Sequence, residues 1–256
     1  RKFNFKKVGH LGTLDPMATG LLIVAINRAT KFSSYFLNEI KAYSAEVTLG
    51  YTSDTDDAEG NILNITKKIP DSSKVILALN SFLGESLQKA PFYSALKHKG
   101  KPLYKYAREG ELIEKPPREI KIIDISNIHF QNPLLEFDIT CSKGTYIRSI
   151  ARDIGNLLEC GGYLSKLKRT QQGCFEISDA NFTKDLLTDH IISIESAFTQ
   201  FNSLELNELE ENIYKNGGRV ESIKGNEEIL KIYSSSKKFM GLGEVNDSGL
   251  KLKQLV

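Results

Sequence analysis

The sequence predicts an α+β protein with a small β-rich domain at its C-terminal end, and three observations agree with that class. Short alternating segments bounded by Gly, Pro and Asn recur along the chain, as strands do. Two longer segments carry the i, i+3, i+4 apolar spacing of amphipathic helices. From about residue 203 the composition shifts to a short Glu-rich stretch that still holds strand-like runs. The 256 residues, 40% hydrophobic and 26% charged, suffice for one large domain plus a small one with a sizeable core.

The elements follow in order. Residues 9–16 (Gly-His-Leu-Gly-Thr-Leu-Asp-Pro) are rich in turn formers, and the apolar run 20–26 behind them is expected to be a buried strand. Residues 29–37 read as a helix opening behind Asn27. Residues 43–49 alternate as a strand does, and Gly50 ends them. The acidic loop 53–61 superficially resembles a calcium loop, but it lacks the glycine at the sixth position and the closing Glu, so that reading is rejected. Residues 72–83 suit an amphipathic helix, and 89–118 form a basic, aromatic-bearing stretch. Two strands, 120–128 and 134–141, are separated by the turn at Asn132-Pro133. Residues 146–158 form a helix with Ile147, Ile150, Ala151, Ile154 and Leu158 on one face. In the tail, 228–233 and 238–245 read as strands.

Composition excludes several classes. No apolar run approaches the roughly 20 residues of a membrane-spanning helix. Three cysteines without C-x-x-C spacing argue for reduced thiols in a cytoplasm. The four histidines lie far apart, which disfavours a zinc site, and no phosphate-binding loop is present. The net charge of +2 averages over unlike segments. Residues 1–50 hold seven Lys/Arg against three acids and 86–121 nine against four, whereas 203–230 hold seven Glu and three Lys/Arg. A basic face proposes a polyanionic partner, although chance patchiness explains charge alone equally well.

The most informative segment is Gly9-His10-Leu11-Gly12-Thr13-Leu14-Asp15-Pro16-Met17-Ala18-Thr19-Gly20. Two glycines and a proline bracket an Asp and a His and feed into an apolar run, a way to hold a carboxylate at a fixed place in a cleft. A lone Asp-Pro more often merely stabilises a turn. Here the segment resembles the catalytic motif G-H-x-G-T-L-D-P-x-A-x-G of the TruB family of tRNA pseudouridine synthases. Further blocks are similar and stand in the family's order: Lys41-Ala-Tyr43, then Leu49-Gly with Thr52-Ser-Asp-Thr-x-Asp57-x-x-Gly60. Next come Pro91-x-x-Ser94-Ala95-x-Lys97-x-x-Gly100-Lys101-x-x-Tyr104, Gly144-Thr-Tyr-Ile-Arg-Ser149 and Leu164-x-x-Leu167-x-Arg169. The ending Gly241-Leu-Gly-Glu244 is like that of the family's PUA-like RNA-binding domain. The family normally opens with a Lys-Pro-x-Gly-x-Thr-Ser segment, and a chain starting at Arg1 is expected to lack it.

The resemblance implies a pseudouridine-synthase fold, a mixed, mostly antiparallel sheet flanked by helices with the active-site cleft across its middle. It implies a catalytic domain over 1–200, without its N-terminal part, and a PUA-like domain over 201–256. It implies site-specific isomerisation of uridine 55 in the T arm of tRNA, with no cofactor and no metal. Asp15 would be the catalytic carboxylate, as nucleophile at C6 or C1′ or as base; these routes stay open. Arg148 matches the arginine that pairs with this Asp, against the plainer reading of a surface helix charge. Tyr43 matches the tyrosine that stacks on the flipped base, and its phenol is a candidate for removing the C5 proton; the alternative is a core tyrosine. Tyr146 and Leu167 resemble further pocket residues, with core packing as the competing explanation. His10 would enter the RNA loop in place of the flipped nucleotide. Lys97 and Lys101, with Lys99, Tyr104, Lys105 and Arg108, suit a phosphate backbone threaded past aromatic platforms, as a solvated helix face also does. The expected protein is a cytoplasmic monomer needing no obligate protein partner and no membrane. Two rivals remain: a guide-RNA-dependent synthase of a ribonucleoprotein, and a tRNA chaperone whose binding matters more than catalysis.

Overall fold

A central strand buried on both faces anchors the main sheet. In the computed structural model, which describes residues 3–256, the sheet comprises Thr19–Gly20 (β1), Lys41–Leu49 (β2), Gly84–Gln88 (β3), Arg118–Gln131 (β4), Leu134–Cys141 (β5), Gly162–Gln172 (β6) and Phe175–Glu176 (β7). The strand order is β7-β6-β2-β5-β4-β3, and every pair along it is antiparallel; β1 adds to β6 in parallel. The sheet is therefore mixed and mostly antiparallel. Along β2, Tyr43, Ala45, Val47 and Leu49 enter the core, while Glu46 is buried on the other face. Its carboxylate is satisfied there by Ser165 Oγ and Lys166 Nζ, each at 2.7 Å.

Two helices cover the apolar face, Ser72–Asn80 (α1) and Ile147–Leu157 (α2). Asp71 caps α1, its side chain accepting from Lys74 N–H. α2 presents Ile147, Ile150, Ala151 and Ile154 to the same core as Val75, Leu79 and Ile122. Each fully buried isoleucine there contributes roughly 2–3 kcal/mol relative to exposure. The close approach of α2 to β6 depends on Gly155, because a Cβ at that position would lie 2.1 Å from the backbone nitrogen of Gly162. The insertion between β3 and β4 holds a two-stranded pair, Lys97–His98 with Lys101–Pro102, and the short helix Leu103–Arg108.

The expected strand over 20–26 is corrected: two short strands stand there, Thr19–Gly20 in the main sheet and Val24–Ile26, which pairs with Val8–His10. The run breaks because Gly20 has φ +99° and its missing Cβ would meet the Arg169 carbonyl at 2.3 Å, a geometry closed to other residues. Leu22 and Val24 end up exposed in consequence. The expected helix over 29–37 is a 3-10 turn, Asn27–Phe32, followed by one α-helical turn, Ser33–Leu37.

The described chain divides into two compact units. One comprises Gly12–Leu22 and Phe36–Ser178 and contains the main sheet. The other comprises the chain up to Leu11, Ile23–Tyr35 and Asp179–Val256. In the latter a five-stranded sheet is built from Ser203–Glu205 (β8), Arg219–Val220 (β9), Glu228–Tyr233 (β10), Phe239–Asn246 (β11) and Gly249–Leu255 (β12), in the order β8-β10-β11-β12-β9. The helix Glu208–Lys215 (α3) opens with a capping box between Asn207 and Glu210 and buries Tyr214, whose hydroxyl donates to the Leu242 carbonyl at 2.8 Å.

Candidate active site

The loop from Gly12 to Leu21 is too short and too rich in turn residues to bury itself, so its conformation is set by what it is tied to. Ala18 N–H closes a turn on the Asp15 carbonyl, and Leu21 N–H bonds to the Arg169 carbonyl on β6 at 2.8 Å. Asp15 thus stands on a fixed loop, 30% exposed.

Its partner comes from α2. Arg148 is 4% exposed and directs Nε to Asp15 Oδ2 and Nη2 to Asp15 Oδ1, both at 2.9 Å. This is the bidentate fork that a guanidinium makes with a carboxylate, and it fixes both oxygens. Arg148 also donates to the carbonyls of Thr55 (3.2 Å) and Tyr93 (3.0 Å). A second carboxylate, Asp57, lies 3.4 Å from Nη1 and is equally buried. Asp57 in turn accepts from Thr55 Oγ1 (2.6 Å) and Glu59 N–H (3.0 Å). The buried cation is therefore shared by two carboxylates and two carbonyls, which compensates its lost hydration. Asp57 carries no site role in the sequence reading; the acidic loop turns inward, and the adjacent Asp56 pairs with Arg152 at 2.9 Å.

Asp15 lines a pocket of about 100 Å3 together with Thr13, Tyr43, Tyr146, Ile147 and Leu167. Tyr43 and Leu167 stand on the adjacent strands β2 and β6, and both are at least nine-tenths buried. Burial, with the charge of the Cys141 thiol, pushes the Tyr43 phenol up to about 12, against the opposing pull of the Arg169 guanidinium. At neutral pH Tyr43 is a protonated phenol, able to stack and to donate one hydrogen bond. Tyr146 precedes α2, and its backbone N–H and C=O are both taken by the buried side-chain amide of Gln88, at 2.8 and 3.0 Å. The Arg118 guanidinium covers its ring, 4.6 Å from the centroid.

Five sequence-predicted residues thus converge: Asp15, Arg148, Tyr43, Tyr146 and Leu167. The other three are not among the residues that line this pocket. His10 is exposed at the end of Val8–His10, in the other compact unit. Lys97 is exposed on the Lys97–His98 strand, and Lys101 pairs with Glu109 and sits 4.5 Å above the Tyr106 ring. Among the described residues, no group of three His, Cys, Asp or Glu side chains is placed to hold a metal ion.

A family model described as TruB family pseudouridylate synthase (N terminal domain) matches residues 1–147, and one described as tRNA pseudouridylate synthase B C-terminal domain matches 148–204. The chain belongs to the TruB family. The site draws on both matched segments, Asp15 and Tyr43 from the first, Arg148 and Leu167 from the second. A protein named tRNA pseudouridine synthase B from Clostridium novyi is 42% identical over 264 residues, covering 98% of this chain and 90% of that one. One of the same name from Francisella philomiragia is 46% identical over 225 residues, covering 84% and 74%. Among solved structures, an H/ACA RNP bound to a substrate RNA containing 2′-deoxyuridine gives a TM-score of 0.72 at 19% identity, covering 98% of this chain and 77% of that one. A Cbf5-Nop10-Gar1 complex gives 0.72 at 22%, with the same coverages. At those identities the likeness concerns the fold, which this TruB chain shares.

Proposed function

We propose that this chain is a tRNA pseudouridine-55 synthase, an isomerase that acts on one uridine of the T arm and uses Asp15 as its catalytic carboxylate. The observation that carries the reading is the fork between Asp15 and the buried Arg148 on the wall of a pocket lined by Tyr43, Tyr146 and Leu167. Relatives named tRNA pseudouridine synthase B, similar over most of the chain, supply the substrate class.

Isomerisation breaks the bond between N1 and C1′, turns the uracil and joins C1′ to C5; C5 loses a proton and N1 gains one. Electrons balance within the nucleotide, so the chemistry calls for positioned side chains and no redox partner. A base stacked in an RNA loop must leave the stack first, and the face of Tyr43 with the apolar side of Leu167 offsets part of the lost stacking. The Asp15 carboxylate, both oxygens held, attacks or deprotonates the nucleotide from a fixed position. The protonated Tyr43 serves in a late proton transfer only if it passes its own proton on in the same step. His10, Lys97 and Lys101 are assigned to RNA contacts, and the sheet within 201–256 to RNA binding as a PUA-like domain. The enzyme acts as a cytoplasmic monomer on tRNA without a guide RNA or protein partner.

The test is incubation of unmodified tRNA with the protein alone and with Asp15→Asn, followed by sequencing-based detection of pseudouridine. The parent is expected to modify the T arm, and the variant none. Pseudouridine formed equally by both would overturn the catalytic assignment, and modification that appears only with an added guide RNA would overturn the stand-alone reading. Tight tRNA binding with no modification by either protein would favour a chaperone.

A further inference from the structure

A second arginine stands behind the pocket and takes part in neither the Asp15 fork nor the pocket wall. Arg169 is 1% exposed, the largest fully buried side chain among the described residues. It lies on β6 directly opposite Tyr43 on β2, and the register of β6 slips between Arg169 and Gln171. Bulges of this kind re-aim a side chain. Nε donates to the Leu21 carbonyl at 2.8 Å and Nη2 to the Gly12 carbonyl at 3.1 Å. Those two carbonyls bracket the loop that carries Asp15. The same guanidinium faces the Tyr43 phenol closely enough to pull against the rise that burial imposes on it. Among the described residues Arg169 makes no ion pair, in contrast to Arg148 with its two carboxylates.

A buried cation matched only by carbonyl dipoles and a phenol is costly to keep. What it supplies is geometry. A guanidinium presents its donors in one plane, so one side chain can hold both ends of a loop and a cross-strand ring at fixed mutual distances.

We propose that Arg169 is the positioning residue of the site: it clamps the Asp15 loop at both ends, directly across from Tyr43. This rests on the reading of that pocket as the site of uridine isomerisation. Arg169 touches no reacting atom and acts through the loop and the phenol.

The experiment uses the full chain and three measurements: tRNA affinity, single-turnover pseudouridine formation at saturating enzyme, and hydrogen exchange of peptides spanning residues 12–21. Arg169→Met keeps the length of the side chain and removes the donors. It is expected to bind tRNA within about threefold of the parent and to react about a hundredfold more slowly, the loss that follows a shift of about an ångström in a reacting group. The loop 12–21 should exchange faster in this variant and at the parental rate in Asp15→Asn. Tyr43→Phe combined with Arg169→Met should be no slower than the slower single variant, since both remove one unit. A folded Arg169→Met that reacts at the parental rate, or two fully additive losses, would overturn the proposal. If Arg169→Met does not fold, Arg169→Lys carries the test: it keeps the charge but cannot reach both carbonyls, so parental rate and parental loop protection in that variant refute the clamp. The exchange measurement does not depend on turnover. A loop loosened by Arg169→Met in a chain that makes no pseudouridine would refute the functional reading and leave the clamp standing.

Discussion

Neutralising Asp57 tests how far the chemistry depends on a carboxylate that never meets the substrate. Asp57 is 3% exposed and its Oδ2 lies 3.4 Å from Arg148 Nη1. At that distance and an effective dielectric of about 20, the gross attraction is about 5 kcal/mol. Burying the two charges offsets several kcal/mol of this, and Arg148 keeps Asp15 and two carbonyls, so neutralising Asp57 alone should cost about 2–3 kcal/mol. Asn retains an oxygen for Thr55 Oγ1 and Glu59 N–H, which preserves the turn. Its amide cannot attract the guanidinium, and Asp15 is then held by a cation no longer drawn from two sides. If that cost falls on the geometry of the fork, Asp57→Asn should slow single-turnover pseudouridine formation by about 30- to 150-fold, at 1.36 kcal/mol per decade. Affinity for tRNA should stay within about threefold, because a buried side chain offers RNA no contact. The assay is single-turnover conversion of labelled tRNA transcript at saturating enzyme, with filter binding alongside. A folded Asp57→Asn that reacts within about threefold of the parent would show that the second carboxylate only stabilises the fold.

Other consequences follow from the same geometry. Tyr43→Phe should keep tRNA affinity and slow the chemistry, whereas Tyr43→Ala should lose both; equal affinity for all three proteins would remove the stacking role. The phenol ionises near 10 in an unfolded chain and near 12 here, so its contribution to stability is present below about pH 10 and is lost as pH rises toward 12. Urea unfolding at pH 8 and pH 10.5 should show the parent weakening more steeply than Tyr43→Phe. A triple Lys97, Lys99 and Lys101 to alanine variant should bind tRNA more weakly, with the log–log salt slope shallower by about 2 and near-parental chemistry at saturation; an unchanged slope would make these lysines a solvated surface. Gly20→Ala should destabilise the Asp15 loop by about 1–3 kcal/mol, because an added methyl meets the Arg169 carbonyl and φ is positive; a parental melting curve with full activity would refute that account.

How much of this was legible in the sequence depended on whether local pattern and tertiary role coincide. They coincide in α2, where Ile147, Ile150, Ala151 and Ile154 form one stripe, and in β5, where burial alternates as the strand period requires. They part in β6. Its buried positions are Gly162, Leu164, Leu167, Arg169 and Gln172, spaced two, three, two and three apart, because two bulges interrupt the pairing with β2. Two of those five are polar, so neither period nor hydrophobicity marks the strand that brings Leu167 to the pocket. The site divides in the same way. Asp15, Tyr43 and Arg148 stand in motifs whose roles the resemblance names, whereas Asp57 stands in a similar block without an assigned role, and only folding places it beside a buried cation. Gln88 is similar, since a lone glutamine gives no signal that its amide will hold the backbone of Tyr146.

The ties between α2 and the segment that follows β3 bear on how cleanly binding separates from chemistry. Ser149 Oγ and Arg152 Nη2 both donate to the Lys89 carbonyl, at 2.9 and 3.1 Å, and Arg148 Nη2 is divided between Asp15 Oδ1 and the Tyr93 carbonyl. The basic insertion is therefore rooted on the helix that carries Arg148. Its outer part, the pair of strands around Lys97 and Lys101, touches none of these groups and is free to serve affinity alone. Its root does touch them: a shift of the Tyr93 carbonyl changes what Nη2 is offered, and hence how firmly one oxygen of Asp15 is held. Substitutions in the outer part should move affinity and leave the rate, while distortion of the segment from Lys89 to Tyr93 should move both. The division follows from one amino group, Nη2, whose two N–H bonds serve Asp15 and the Tyr93 carbonyl, and it makes Arg148 the link between the root of the insertion and the carboxylate.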